Sequence, residues 1–250
     1  MKKLSIYTDL GYPVSLERRL ELIQDAGFDS VCLDTNSDWE MQMKLAQQYN
    51  LPVDEFHLSG DGMTGIWSDG EQAEFVTRRL EEELAHLKAV GVKVGVAHIT
   101  WGYQVPPDPS VSTLRRFERI AEAAEKNNVY LALENSVFEE HVRYVLDRID
   151  STHVGFCYDS GHENAFTPDA DYLESYADRL FAMHLHDNDG KEDLHQLPFT
   201  GTVDWKKRVT QLKKSSLFQY TVTMEVGAQA VPVEVLIPQI YQAAVQLASM

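Results

Sequence analysis

Short runs of β-branched and apolar residues alternate along the chain with longer stretches in which apolar residues recur every three or four positions. The short runs mark strands and the longer period marks amphipathic helices, and their alternation is the signature of βαβ units feeding a parallel sheet. Eight rounds are predicted, with strands near residues 4–8, 31–33, 53–57, 93–99, 129–133, 154–158, 181–185 and 220–224. The first four helical faces are marked by Leu16, Leu20 and Ile23; Trp39, Met43 and Ala46; Val76, Leu80, Leu84 and Leu87; and Leu114, Phe117, Ala121 and Ala124. The remaining four carry Phe138, Val142, Val145 and Ile149; Tyr172, Tyr176 and Leu180; Trp205, Val209 and Leu212; and Leu236, Ile240 and Leu247. Pro238 is expected to kink or restart the last of them. An open doubly wound sheet would carry a Gly-rich phosphate turn after its first strand, and Asp9-Leu10-Gly11-Tyr12-Pro13 is not one. The predicted fold is therefore α/β, a closed (β/α)₈ TIM barrel forming a single domain over residues 1–250, the usual size for one.

Charge narrows the partners. With 39 acidic against 22 basic residues and a net charge of −17, the chain repels polyanions, so nucleic acid is not an expected partner. Glu81-Glu82-Glu83 reads as solubility surface. No apolar run reaches the roughly 20 residues needed to cross a bilayer. The apolar stretch after Met1-Lys2-Lys3 breaks at Thr8 and Asp9, too soon for a signal peptide. A cytoplasmic protein without membrane contact is expected, and the pattern is compatible with a homo-oligomer. Cys32 and Cys157 lie singly inside apolar runs, as reduced core residues do, and form no CxxC pair.

In a parallel barrel all carboxyl ends of the strands open on one face, so polar residues placed where each apolar run stops meet in one pocket. Here His57 ends the third strand and His98 the fourth; Glu134 ends the fifth, and Asp159 with His162 the sixth. The seventh delivers His184, His186, Asp187, Asp193 and His195, and the eighth Glu225. A lone histidine is more often a satisfied hydrogen-bonding group than a ligand. Six strands ending this way are another matter, because carboxylates gathered in one pocket repel and are desolvated unless a cation joins them. A mixed His/Asp/Glu set suits Zn²⁺, Mn²⁺ or a similar ion better than Ca²⁺.

At these residues the chain resembles the xylose-isomerase-like barrel superfamily, which contains sugar isomerases and epimerases of the tagatose-epimerase type and the endonuclease IV family. The resemblance runs from the third strand to the eighth. It implies a divalent metal (Zn, Mn, Mg or Co) held by Glu134, Asp159, a strand-seven histidine and Glu225, with His162 touching substrate. His184 and His186 lie on one side of their strand, and the motif does not choose between them. The endonuclease IV pattern implies more: His57 and His98 as ligands of an extra metal bridged by Glu134, and His162, Asp193 and His195 as the shell of a third. Where those relatives show Gly-Glu-Gly after the last triplet, this chain has Phe199-Thr200-Gly201.

Three readings follow. The first is a metal-dependent isomerase or epimerase of a small sugar or polyol, in which Glu134 and Glu225 remove and return a proton next to a carbonyl through a metal-stabilised enediolate. The second is a multimetal zinc phosphoester hydrolase of the endonuclease IV-like type, favoured by the extra histidines. Against it stand the acidic charge and the lack of any arginine near the strand-seven motif to grip phosphate, only Lys191 lying there. The third, a sugar-binding barrel without catalysis, is the weakest, because both Glu134 and Glu225 are present. Trp67, Trp101 and Tyr103 follow strands three and four, where flat rings are placed to stack on a sugar.

Overall fold

Eight parallel strands form the centre of the molecule, which a computed structural model describes over residues 2–250. They are β1 (Lys3–Tyr7), β2 (Ser30–Asp34), β3 (Val53–His57), β4 (Val94–His98), β5 (Tyr130–Glu134), β6 (Val154–Asp159), β7 (Leu180–His184) and β8 (Thr221–Met224). Their order, β7-β6-β5-β4-β3-β2-β1-β8, follows the chain around a ring. Just past the end of β7, the Leu185–Met224 bridge and the bond from Leu185 N to Thr223 O (3.0 Å) join it to β8. The expected barrel is thus what the chain forms, nearly closed.

The helices that return each strand are α1 (Leu16–Ala26), α2 (Trp39–Gln48), α3 (Glu71–Val90), α4 (Val111–Asn127), α5 (Glu139–Leu146), α6 (Ser160–Phe166), α7 (Tyr172–Tyr176), α8 (Trp205–Leu212) and α9 (Val233–Ser249). Local chemistry sets their ends: Ser15, Asp38, Ser110 and Asp204 each accept a bond from a first-turn N–H, and Gly27 and Gly91 close α1 and α3 in the left-handed region. Two expectations are corrected. The face Tyr172, Tyr176 and Leu180 is not one helix: Pro168 disfavours a helical Thr167, so α6 stops at Phe166, α7 is a separate short turn and Leu180 opens β7. Pro238 does not restart α9, which runs unbroken through it; one lost backbone bond is outweighed by the buried stripe Leu236, Ile240, Ala244 and Leu247.

Side chains alternate along each strand, and this places the site. Ile6, Leu33, Phe56, Leu133, Phe156 and Met183 belong to the large core that includes the helix faces. Val96, Ala132, Cys157 and Ala182 form a separate small cluster inside the barrel. Both cysteines are buried and free. No helix is long and apolar enough to cross a membrane.

Candidate active site

Two positions above each interior residue comes the last interior residue of its strand. Cys32 is followed by Asp34, Val96 by His98, Ala132 by Glu134, Cys157 by Asp159 and Ala182 by His184. The parallel register aligns Asp34 with His57, His98 with Glu134, and Asp159 with His184. Polar strand ends therefore form the top layer of the barrel interior, as the strand-end pattern anticipates.

Four histidines in this layer share one orientation. Nδ1 of His57 bonds to Leu58 O (3.2 Å), that of His162 to Asn135 O (2.9 Å) and that of His195 to Glu225 O (3.0 Å), while Nδ1 of His186 faces Asp187 O at 3.5 Å. A nitrogen that donates to a carbonyl carries the proton of the neutral ring, which then leaves Nε2 as a lone pair. Each of those lone pairs faces a carboxylate. His57 Nε2 lies 3.3 Å from Glu134 Oε2, His162 Nε2 and His195 Nε2 lie 3.2 and 3.1 Å from Asp193 Oδ2, and His186 Nε2 lies 3.1 Å from Asp159 Oδ2. His98 Nε2 adds a contact of 3.0 Å to Glu134 Oε2. His184 reaches Glu134 Oε1 (3.1 Å) and Glu225 Oε2 (2.9 Å) with Nδ1 instead.

A ring nitrogen that faces a carboxylate oxygen is satisfied either by a second proton on the ring or by a metal ion between the two. Glu134 Oε2, Asp193 Oδ1 and Glu225 Oε2 are buried without a hydrogen bond of acceptable geometry, although nitrogens surround them. Ligands about 2.1 Å from a tetrahedral zinc stand roughly 3.4 Å apart, close to the separations here. The triplets His57–His98–Glu134, His57–His184–Glu225 and His162–Asp193–His195 each gather ligand atoms within 4.8 Å of one another. Donor types and spacing thus fit a divalent metal, and Glu134 belongs to more than one candidate shell.

Electrostatics agree with the geometry. Burial disfavours the charged forms throughout, but the facing charges overcome it. The histidines opposite hold Glu134, Asp193 and Glu225 well below the usual carboxylate range. In the same way the carboxylates hold His57 and His162 above the ordinary histidine value, Cys157, followed by Glu225 and Glu134, does so for His184, and Asp193 and Glu225 raise His195 to about 9. His98 is the exception, pulled down by burial.

Supporting groups fix these side chains. Asp159 caps α6 by accepting from His162 N (2.6 Å), so this carboxylate orients the helix that carries His162. Asn135 ties β5 to β6 through both of its amide atoms, to Asp159 N and O (2.8 Å each). A side chain at Gly161 would strike the His186 ring at 1.9 Å, so that ring can lie against α6 only over a glycine. The loop after β7 winds around Asp187, which accepts from Phe199 N, Val203 N and Trp205 Nε1 (3.0, 3.0 and 2.8 Å). Phe199 adopts φ 73° there, a left-handed conformation that glycine takes more readily, and this is the physical content of the departure from Gly-Glu-Gly.

Above the cluster opens a cleft of about 500 Å³ walled by Tyr7, Asp9, Asp34, Asn36, His57, Ser59, His98, Trp101, His162, Asp193, His195 and Glu225, among others. No lysine or arginine lines it among the described residues, and Lys191 is exposed outside it. Trp101 stands at the mouth, half exposed, with its ring packed on Gly60. Tyr103 is exposed and lines a smaller side chamber of about 290 Å³ with Trp101, Phe166 and Ser136. Trp67 is corrected: it is buried, donates its indole N–H to Ile99 O (2.8 Å) and packs on Phe117 and His141, so it belongs to the core and not to the cleft. Asp34, Tyr7 and Glu55 escaped the sequence reading. Asp34 carried a usable signal, ending the run Val31-Cys32-Leu33 as the other candidates end theirs.

The barrel has counterparts among solved structures. A crystal structure of a D-tagatose 3-epimerase-like protein superposes with a TM-score of 0.78 at 18% identity, covering 99% of this chain and 98% of that one. The structure of the IolI protein with a binding zinc atom gives 0.79 at 17%, again covering 99% and 98%. At such identities the likeness is one of fold. The uncharacterized protein y4fM of Sinorhizobium fredii is 39% identical over 98 residues, 36% of this chain, and the match spans only 32% of that relative. A family model described as xylose isomerase-like TIM barrel matches residues 20–245, nearly the whole chain. With the barrel and this match together, the chain belongs to the xylose isomerase-like TIM barrel family.

Proposed function

We propose that the chain is an enzyme, a divalent-metal-dependent isomerase or epimerase of an uncharged sugar or polyol. The observation that carries the reading is the pairing of Glu134 and Glu225, whose carboxylates meet at His184 Nδ1 (3.1 and 2.9 Å), with Glu225 lining a cleft that has no lysine or arginine. A phosphorylated substrate would call for such cations, while hydroxyl groups suit Asp34, Asn36 and Ser59. The fold is shared with sugar epimerases, and one neighbour holds zinc.

Glu134, Asp159, His184 and Glu225 would hold the metal, with His186 on its Asp159 side. When bound, such an ion polarises a carbonyl and lowers the barrier to removing the neighbouring proton. The rest falls to the chain. Glu225 lines the cleft from the end of β8, and Glu134 lies buried at the end of β5 against His57 and His98, which also line the cleft, so one glutamate removes the proton and the other returns one, the face of return deciding the product. The facing histidines keep both carboxylates ionised, so the one that returns a proton must first take one up. His57, His98 and His162 line the cleft and orient hydroxyls, and Trp101 offers an aromatic face at the mouth. The test is exchange with solvent. In D₂O the metal-loaded protein should place deuterium on the carbon beside the carbonyl of one member of a ketose panel, and Glu225→Gln should lose this by 10²-fold or more.

A second reading, a multimetal phosphoester hydrolase, rests on the His57–His98–Glu134 and His162–Asp193–His195 triplets, which exceed the needs of one metal. Cleavage of a phosphodiester with no exchange in any ketose would put it in place of the first.

A further inference from the structure

We infer that Glu55, on β3 one interior layer below His57, is a positioning residue for the metal centre: it accepts the proton-bearing Nε2 of His184 and thereby holds Nδ1 of that ring toward Glu134 and Glu225. The inference rests on the metal reading above. Its starting point is an asymmetry. His57, His162, His186 and His195 turn Nδ1 to a backbone carbonyl and Nε2 to a carboxylate. His184 is reversed, with Nδ1 on the carboxylates and Nε2 pointing down into the barrel.

What meets Nε2 there is Glu55 Oε1, at 3.5 Å. Both atoms are buried and neither has another hydrogen-bond partner, and no other nitrogen pairs with the Glu55 carboxylate among the described residues. Closing the gap by about half an ångström gives an ordinary bond. Around this pair stand Cys32 and Cys157, whose sulfurs lie near His184, the small residues Val96, Ala132 and Ala182, and the buried hydroxyl residues Ser5 and Thr223, and the Cys32 thiol is turned to Leu33 O. A carboxylate in such a layer is costly unless paired, and His184 is its one partner. A carboxylate behind a ligating histidine fixes the tautomer and the ring orientation, and its loss typically weakens metal binding 10- to 100-fold. Without Glu55 the ring proton can move to Nδ1, where it points at Glu134 and Glu225 and occupies the place of a metal.

Two measurements test this on the full-length protein. Long-range ¹H–¹⁵N spectra of the metal-free protein, recorded on the alkaline side where the ring is neutral, should show the wild-type His184 with its proton on Nε2 and Glu55→Leu with the proton on Nδ1 or shared. Zn²⁺ competition against a chelator should show affinity reduced 10- to 100-fold in Glu55→Leu and within a few-fold of wild type in Glu55→Gln, whose amide oxygen still accepts. Wild-type His184 protonated on Nδ1, or a folded Glu55→Leu with unchanged zinc affinity, overturns the inference. If Glu55→Leu does not fold, the wild-type tautomer and Glu55→Gln decide. A wild type that takes up no zinc counts against the metal reading, while the tautomer still scores Glu55.

Discussion

Glu83 illustrates how one side chain departs from its surroundings in the sequence. In the run Glu81-Glu82-Glu83 it reads as surface, yet α3 turns it inward, where Oε1 accepts from Ser59 N (3.4 Å) and Oε2 has no partner. Burial raises its carboxyl to about 7 from an ordinary 4.5, Arg79 opposing only in part. The folded protein therefore keeps a proton that the unfolded chain releases near 4.5, so stability falls as pH rises from about 4.5 to 7 and is level above. Glu83→Gln should raise stability at pH 8 by about 1–3 kcal/mol, leave it unchanged at pH 4, and flatten the slope between. Urea unfolding across that range checks it, and parallel curves for the two proteins would contradict it.

Elements were legible where a period was sustained. The strands and long helices such as α3 and α4 follow from apolar spacing, and the strand-end candidates followed from the strands. What was missed depends on contacts between distant residues. Trp67 has no local mark separating a sugar platform from a core ring; its bond to Ile99 O makes the difference. Glu55 hides in Val53-Asp54-Glu55-Phe56-His57, where one charged residue faces outward and the next faces the barrel interior. The loop after β7 is held by Asp187, a residue the motif made easy to mistake for a ligand. Asp187→Ala strands the buried donors on Asn188, Val203 and Trp205 and the part-buried N–H of Phe199, and should cost about 3 kcal/mol or more. Because the same loop carries Asp193 and His195, metal affinity should fall with it. A variant within about 1 kcal/mol of wild type that keeps its metal content would show that the loop holds without this anchor.

At the scale of the whole molecule, an acidic chain gathers six of its nine histidines at one end of the barrel. The net charge of −17 and a cleft walled by Asp9, Asp34, Asp193 and Glu225 favour cations and uncharged ligands over phosphates. His57, His162, His184 and His195 hold protons more tightly than ordinary histidines do, so a metal must displace them. Metal uptake at pH 7 should release at least one proton per ion into a weakly buffered solution, and affinity should fall as pH drops. Uptake without proton release would mean that the metal lies elsewhere.

The central claim is that the strand-end cluster holds divalent metal, and elemental analysis of gently purified protein tests it most directly. At least one Zn, Mn or Co per chain is expected in wild type, with the Glu134→Ala protein, folded by its circular dichroism, retaining less than a tenth of it, since Glu134 takes part in more than one candidate shell. A folded wild-type protein that carries no divalent metal after purification and takes none up from a buffered supply would contradict the account.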